Sequence, residues 1–175
     1  KIEDDDLPFD ADGNAKLQNK IKNLKILPQR GNLTSSYEQK INGRWFTLNE
    51  NRMNISRMRL IFNGDEGVWE YENATGHHEL KFGIGKIVEG PFPERHYYGE
   101  RIRKPSGRCY NSLSSAAWVE EHKLNMLVYI TDLYLGTLKA TFAFKGNEIS
   151  IFMTKVAEWF LDEYAGFAGG ILTEG

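Results

Sequence analysis

Histidines, a cluster of arginines and tyrosines, and aromatic residues at alternating positions are where chemistry could reside in this sequence. His77, His78, His96 and His122 invite a metal. Neighbouring residues of a strand face opposite ways, so His77 and His78 cannot line one pocket together. No His-x-His pair falls on a strand and no His-Glu-x-x-His on a helix, and the single cysteine, Cys109, excludes both a cysteine-based zinc site and an internal disulfide. Neither a metal nor a cofactor is expected. His78 alone shares the inward face of its strand. A buried imidazole there needs a hydrogen-bonding partner, and Glu100 or Tyr98 is the candidate. A His78 and Glu100 acid–base pair is the one enzymatic arrangement these residues offer.

The stretch from Pro93 to Arg103 is the densest polar and aromatic segment of the chain. Arginine forks such as Arg101 and tyrosine hydroxyls such as Tyr98 suit an anionic or sugar-like ligand. A charged edge strand that resists aggregation has the same composition. With the inward aromatic residues, the candidate ligand contacts are Trp69, Tyr71, His78, Phe82, Tyr98, Glu100, Arg101 and Trp118. Hydrolase signatures are absent: no Gly-x-Ser-x-Gly elbow occurs, and no serine has a lysine three residues on. Tyr71-Glu72-Asn73 matches Tyr-x-Asn in isolation, and Gly83-Ile84-Gly85 is too short to cradle phosphate. No catalytic residue is assigned, and the chain is expected not to be an enzyme by itself.

These side chains would be positioned by β-strands. Met58, Leu60 and Phe62 alternate with Arg57, Arg59 and Ile61, and Asn63 to Gly67 carries the residues of a hairpin turn. Trp69 and Tyr71, then His78, Leu80, Phe82 and Ile84, alternate with polar residues across the Asn73 to Gly76 turn. Leu124, Met126, Val128 and Ile130, then Leu138, Ala140, Phe142 and Phe144, then Ile149, Ile151 and Met153 form three more consecutive strands. Residues 95–103 and 109–119 supply two strands, and Lys40 to Leu48 the first. This is an all-β antiparallel meander of about eight or nine strands, the pattern of an up-and-down barrel, in which closure removes exposed edges.

The flanks read differently. Residues 1–39 comprise an acidic leader, a helix ended by Pro28 with Leu17, Ile21 and Leu24 on one stripe, and a connector; the barrel domain is expected over 40–175. Val156, Trp159, Phe160 and Tyr164 predict a short C-terminal helix before Gly166, Gly169 and Gly170. In the 124–134 strand Leu127, Tyr129 and Leu133 make the outer face apolar too, which predicts a helix or a second subunit over it.

The 175 residues are 41% hydrophobic and 26% charged, with 22 Lys and Arg against 24 Asp and Glu and a net charge of −2. That balance, without a basic face, argues against nucleic acid as a partner. No run of eighteen apolar residues predicts a membrane span, and no signal peptide is present in the sequence as given. The compartment is not readable. A start at Lys1 instead of Met suggests a processed chain or a fragment.

Two short elements, Gly43-Arg44-Trp45 and Thr131-Asp132-Leu133-Tyr134, resemble lipocalin motifs. On a larger scale, Phe62-Asn-Gly-Asp-Glu-Gly67, Phe82-Gly-Ile-Gly85, Glu89-Gly-Pro-Phe-Pro93, Tyr97-Tyr-Gly99, Ser115-Ala-Ala-Trp118, Asp132-Leu-Tyr-Leu-Gly136 and the stretch from Val156 to Gly170 resemble the non-catalytic C-terminal domain of bacterial serine hydrolases related to β-lactamases and penicillin-binding proteins. The resemblance implies a lipocalin-like accessory barrel that positions or caps an upstream catalytic domain bearing Ser-x-x-Lys, often in an exported parent. The leader and helix resemble the interdomain connector, with the stripe Leu17, Ile21 and Leu24 docking on the barrel or on that domain. The alternative is a free-standing barrel that binds a small apolar or anionic ligand.

Overall fold

The computed structural model describes residues 10–94, 110–131, 135–156 and 165–173. Helix α1, Ala11–Asn23, is capped by Asp10, whose carboxylate accepts from the Gly13 amide at 2.9 Å. Helix α2 is Ser36–Ile41. Among the described residues ten strands follow: β1 Phe46–Leu48, β2 Arg57–Asn63, β3 Glu66–Asn73, β4 Gly76–Ile84, β5 Val88–Phe92, β6 Tyr110–Glu120, β7 Lys123–Thr131, β8 Leu135–Lys145, β9 Glu148–Val156 and β10 Gly166–Leu172.

The strands form one sheet in the order β4-β3-β2-β1-β10-β9-β8-β7-β6-β5, and a further β4–β6 pairing closes it into an up-and-down, lipocalin-like barrel. The expected alternation holds in both meanders. Met58, Leu60, Trp69, Tyr71, Leu80 and Phe82 on one wall, and Leu124, Met126, Val128, Phe142, Ile151 and Met153 on the other, are buried inside.

Several expectations are corrected. The seam is not antiparallel: Gly83 and Ile84 of β4 run parallel to Ser115 and Ala116 of β6. Gly85, at φ +69°, then reverses the chain so that β5 continues along the same edge of β6 in antiparallel register. The glycine-rich C-terminal segment is strand β10, which pairs with β1 and β9, whereas the helix expected over residues 156–164 falls almost entirely outside the described residues. Val156 itself ends β9.

Lys40 and Ile41 lie in α2, and the first strand is confined to Phe46–Leu48. Ser35 caps α2 by accepting from the Tyr37 amide at 3.0 Å, and Gly43, at φ +72°, turns the chain into β1. Tyr37 stacks on Phe144, and the Asn42 side chain exchanges two hydrogen bonds with the Phe62 backbone, so α2 plugs one end of the barrel. The connector before it packs on β6. The Gln29 amide donates to Ser115 Oγ at 2.9 Å, and Asn32 pairs with Trp118 through both backbone groups.

No residue of α1 is buried, and Leu17, Ile21 and Leu24 are all exposed; the stripe does not dock on the barrel. Leu127 and Tyr129 on the outer face of β7 are half-buried, and Leu133 lies outside the described residues. Among the described residues no helix is long and apolar enough to cross a membrane.

Candidate functional site

The aromatic candidates lie within the filled interior. Trp69, Phe82 and Trp118 are at most 1% exposed. Trp69 meets Phe142 from the opposite wall with ring centroids 5.2 Å apart, and Phe62 lies between Phe82 and Trp118 at 6.0 Å from each. A chain of rings this close leaves those side chains packed on one another. The indole N–H groups of Trp69 and Trp118 and the hydroxyl of Ser114 have no hydrogen-bond partner among the described residues.

Tyr71 and His78 belong to a polar cluster at the end opposite α2. They are directly paired across β3 and β4, and their rings stack at 5.0 Å. Glu94, just beyond β5, inserts beside them with 5% of its surface exposed. Tyr71 Oη donates to Glu94 Oε1 at 2.9 Å and Asn73 Nδ2 donates to the same oxygen at 2.8 Å, while Thr75 Oγ1 lies 3.5 Å from Oε2. His78 Nε2 is 2.9 Å from both Asn73 Oδ1 and Thr75 Oγ1 and 3.6 Å from Glu94 Oε1, and its Nδ1 is 3.3 Å from the Pro93 carbonyl. A buried carboxylate is tolerated when donors satisfy it, and Tyr71 and Asn73 do so here, while the Thr75 hydroxyl donates at 2.7 Å to Asn73 Oδ1 and lies at the limit of reach of Glu94.

The expectation that His78 needs a partner is met by Glu94, Asn73 and Thr75. Tyr98, Glu100 and Arg101 lie outside the described residues. Glu94 carries no motif of its own; the signal for it was the demand of an inward histidine for a nearby carboxylate, and it stands six residues before the one expected. Among the described residues no group of three or more His, Cys, Asp or Glu side chains could hold a metal ion.

Asn73 connects this cluster to an open cleft of about 490 Å³. The cleft runs between the β1–β2 loop, with Asn49, Glu50, Asn51, Asn54 and Ser56, and the β3–β4 turn, with Asn73 and Ala74; Leu48 and Ile55 also line it but are buried in the core, 8% and 2% exposed. The loop is held by its own polar groups. Asn51 Nδ2 donates to the carbonyls of Asn49 and Ile55, both at 2.8 Å, and Asn54 adopts a left-handed conformation, φ 53°, that asparagine tolerates better than most residues. Sequence analysis does not single out the cleft: its Asn73 and Ala74 read as part of a hairpin turn, and the residues between Leu48 and Arg57 show no strand alternation.

On the outer wall, Trp45 lies under the guanidinium groups of Arg57 and Arg59, at 4.4 and 4.7 Å from the ring. Arg57 in turn forms a two-pronged pair with Glu72, at 2.5 and 2.8 Å. That pairing holds the Glu72 carboxyl below the ordinary carboxylate range and raises Arg57, chiefly through the side-chain hydrogen bonds.

No protein-family model and no curated protein matches the chain. Among solved structures it is similar to a fatty-acid-binding protein isolated from Manduca sexta, with a TM-score of 0.44 and 11% identity, over 77% of this chain and 99% of that one.

Proposed function

We propose that this chain is a non-enzymatic binding domain, and that it takes a small molecule at the end of the barrel opposite α2. The observation that carries this reading is the double role of Asn73. Its carboxamide is fixed by Glu94 and His78 on one side, and the residue lines the cleft on the other. Rigid polar groups at the rim of a concavity of ligand size are what small-molecule sites require. Both oxygens of Glu94 face donors, and both ring nitrogens of His78 face oxygen atoms, which supports a positioning role over turnover. The interior favours filling by its own side chains, since Trp69 and Phe142 touch across it. Backbone amide NMR of the chain with a small-molecule fragment mixture tests the location. Shifts are expected at residues 49–56 and 73–76; shifts confined to Trp69 and Phe142, or none, would overturn the reading.

A second reading, the accessory domain of a β-lactamase-related serine hydrolase, draws on apolar surface that the barrel leaves open. Phe152 and Phe167, cross-strand partners on the outer face of β9 and β10, stack at 4.4 Å while Phe167 remains 72% exposed. With the bare stripe of α1 this is the kind of surface a neighbouring domain covers. Reading the coding frame upstream of Lys1 for Ser-x-x-Lys followed by Tyr-x-Asn tests it: both present in frame support the accessory role, and their absence removes it.

A further inference from the structure

Hydrogen-bonding commitments within the cleft narrow the chemistry of what can sit there. Asn51 is occupied by its own loop and Asn73 by Glu94 and His78, while Ser56 Oγ donates to the Glu72 carbonyl at 3.2 Å. Asn49, Asn54 and Glu50 have exposed side chains facing solvent at the rim. Among the described residues no lysine, arginine or histidine lines the cleft, and Glu50 is the one acidic side chain that does.

Three ligand classes fit this inventory poorly. An anion would meet the carboxylate of Glu50 with no cation among the described lining residues to offset it. A long apolar chain would have to displace packed rings from the barrel interior or lie against carboxamides left without partners. A simple cation would have a single exposed carboxylate, an interaction worth little in water. What remains is a neutral ligand that offers donors and acceptors side by side. Each free carboxamide carries an acceptor oxygen and a donor NH₂, and Glu50 adds acceptor oxygens, which together match neighbouring hydroxyl groups.

We infer that the cleft between the β1–β2 loop and the β3–β4 turn binds a neutral polyhydroxylated ligand, a saccharide or polyol, through Asn49, Glu50 and Asn54. The inference rests on the proposal that this end of the barrel is the ligand site. Asn54 is the informative position. Its left-handed conformation lets glycine replace it without backbone strain, so Asn54→Gly removes the carboxamide and keeps the loop.

The test titrates the intact chain separately with maltose, citrate and laurate, following the backbone amides of Asn49, Asn54 and Ala74 by NMR. Maltose is expected to shift these amides. Asn54→Gly and, independently, Asn49→Ala are each expected to weaken binding by about tenfold while leaving the remaining spectrum folded. If citrate or laurate shifts the same amides and maltose does not, the site stands and the ligand class is wrong. If none of the three shifts them, the assignment of the cleft as a sugar site falls, and the fragment screen decides whether the site falls with it. Maltose affinity unchanged in both variants would equally overturn the inference.

Discussion

Trp69 of β3 and Phe142 of β8 meet across the barrel edge to face, their ring centroids 5.2 Å apart at 77°. They come from opposite sides of the strand order, so this contact joins the two meanders through the middle of the fold. Phe142→Ala would remove a fully buried ring from between them. A loss of about 3–5 kcal/mol is expected in urea unfolding. The same variant should bind a small apolar probe such as benzene more tightly than the parent chain, read by NMR titration of both.

Tyr71 and Glu94 offer a separate test at the polar end. A double-mutant cycle of Tyr71→Phe and Glu94→Gln, read by chemical denaturation, is expected to give a coupling of about 1–3 kcal/mol, since each single change leaves a buried group short of a partner. Additive effects would mean that the carboxylate is held by Asn73 and Thr75 alone.

The Arg57–Glu72 pair makes a prediction about pH. Because the folded Glu72 carboxyl titrates below its unfolded value, its contribution to stability is present above the unfolded value and is lost as pH falls through the folded one. Side-chain carboxyl NMR should place the Glu72 midpoint below the ordinary glutamate range, and Arg57→Gln should move it upward. An unmoved midpoint would assign the effect elsewhere.

Closure of the barrel depends on a missing side chain. A Cβ at Gly170 would sit 2.5 Å from the Thr47 carbonyl and from Leu48 Cδ2, where β10 pairs with β1. Gly170→Ala should cost about 1–3 kcal/mol by overpacking. Gly90→Ala in β5, where nothing lies within 4 Å, should leave the thermal midpoint nearly unchanged.

These positions also show what could be read from the sequence. The walls built from β2, β3, β4, β7, β8 and β9 are legible because one face is buried and the other is wet, so Met58-x-Leu60-x-Phe62 and Leu124-x-Met126-x-Val128 alternate without interruption. β5 and β10 are hidden by the residues their positions demand. Pro91 is tolerated because, among the described residues, β5 pairs along one edge, with β6, and Gly170 is required because β1 approaches closely; neither residue type favours a strand. α2 is short, and its capping serine looks like connector composition. For the site, the inward position of His78 was legible, whereas Glu94 was not: it lies beyond a strand in a coil segment, and only folding brings it to the β3–β4 hairpin.

The pairing of β1 with β10 has a consequence for how the molecule is made. Phe46 finds Leu172 in the last strand of the barrel, so the ring has no latch until that strand has left the ribosome. Until then β1 and β9 would present open edges, the state most prone to pairing with other chains. Contacts of such long range make folding slow relative to the local hairpins. Three residues of β1, gripped between β2 and β10, therefore convert an open meander into a closed one, and do so only after synthesis of the barrel is complete.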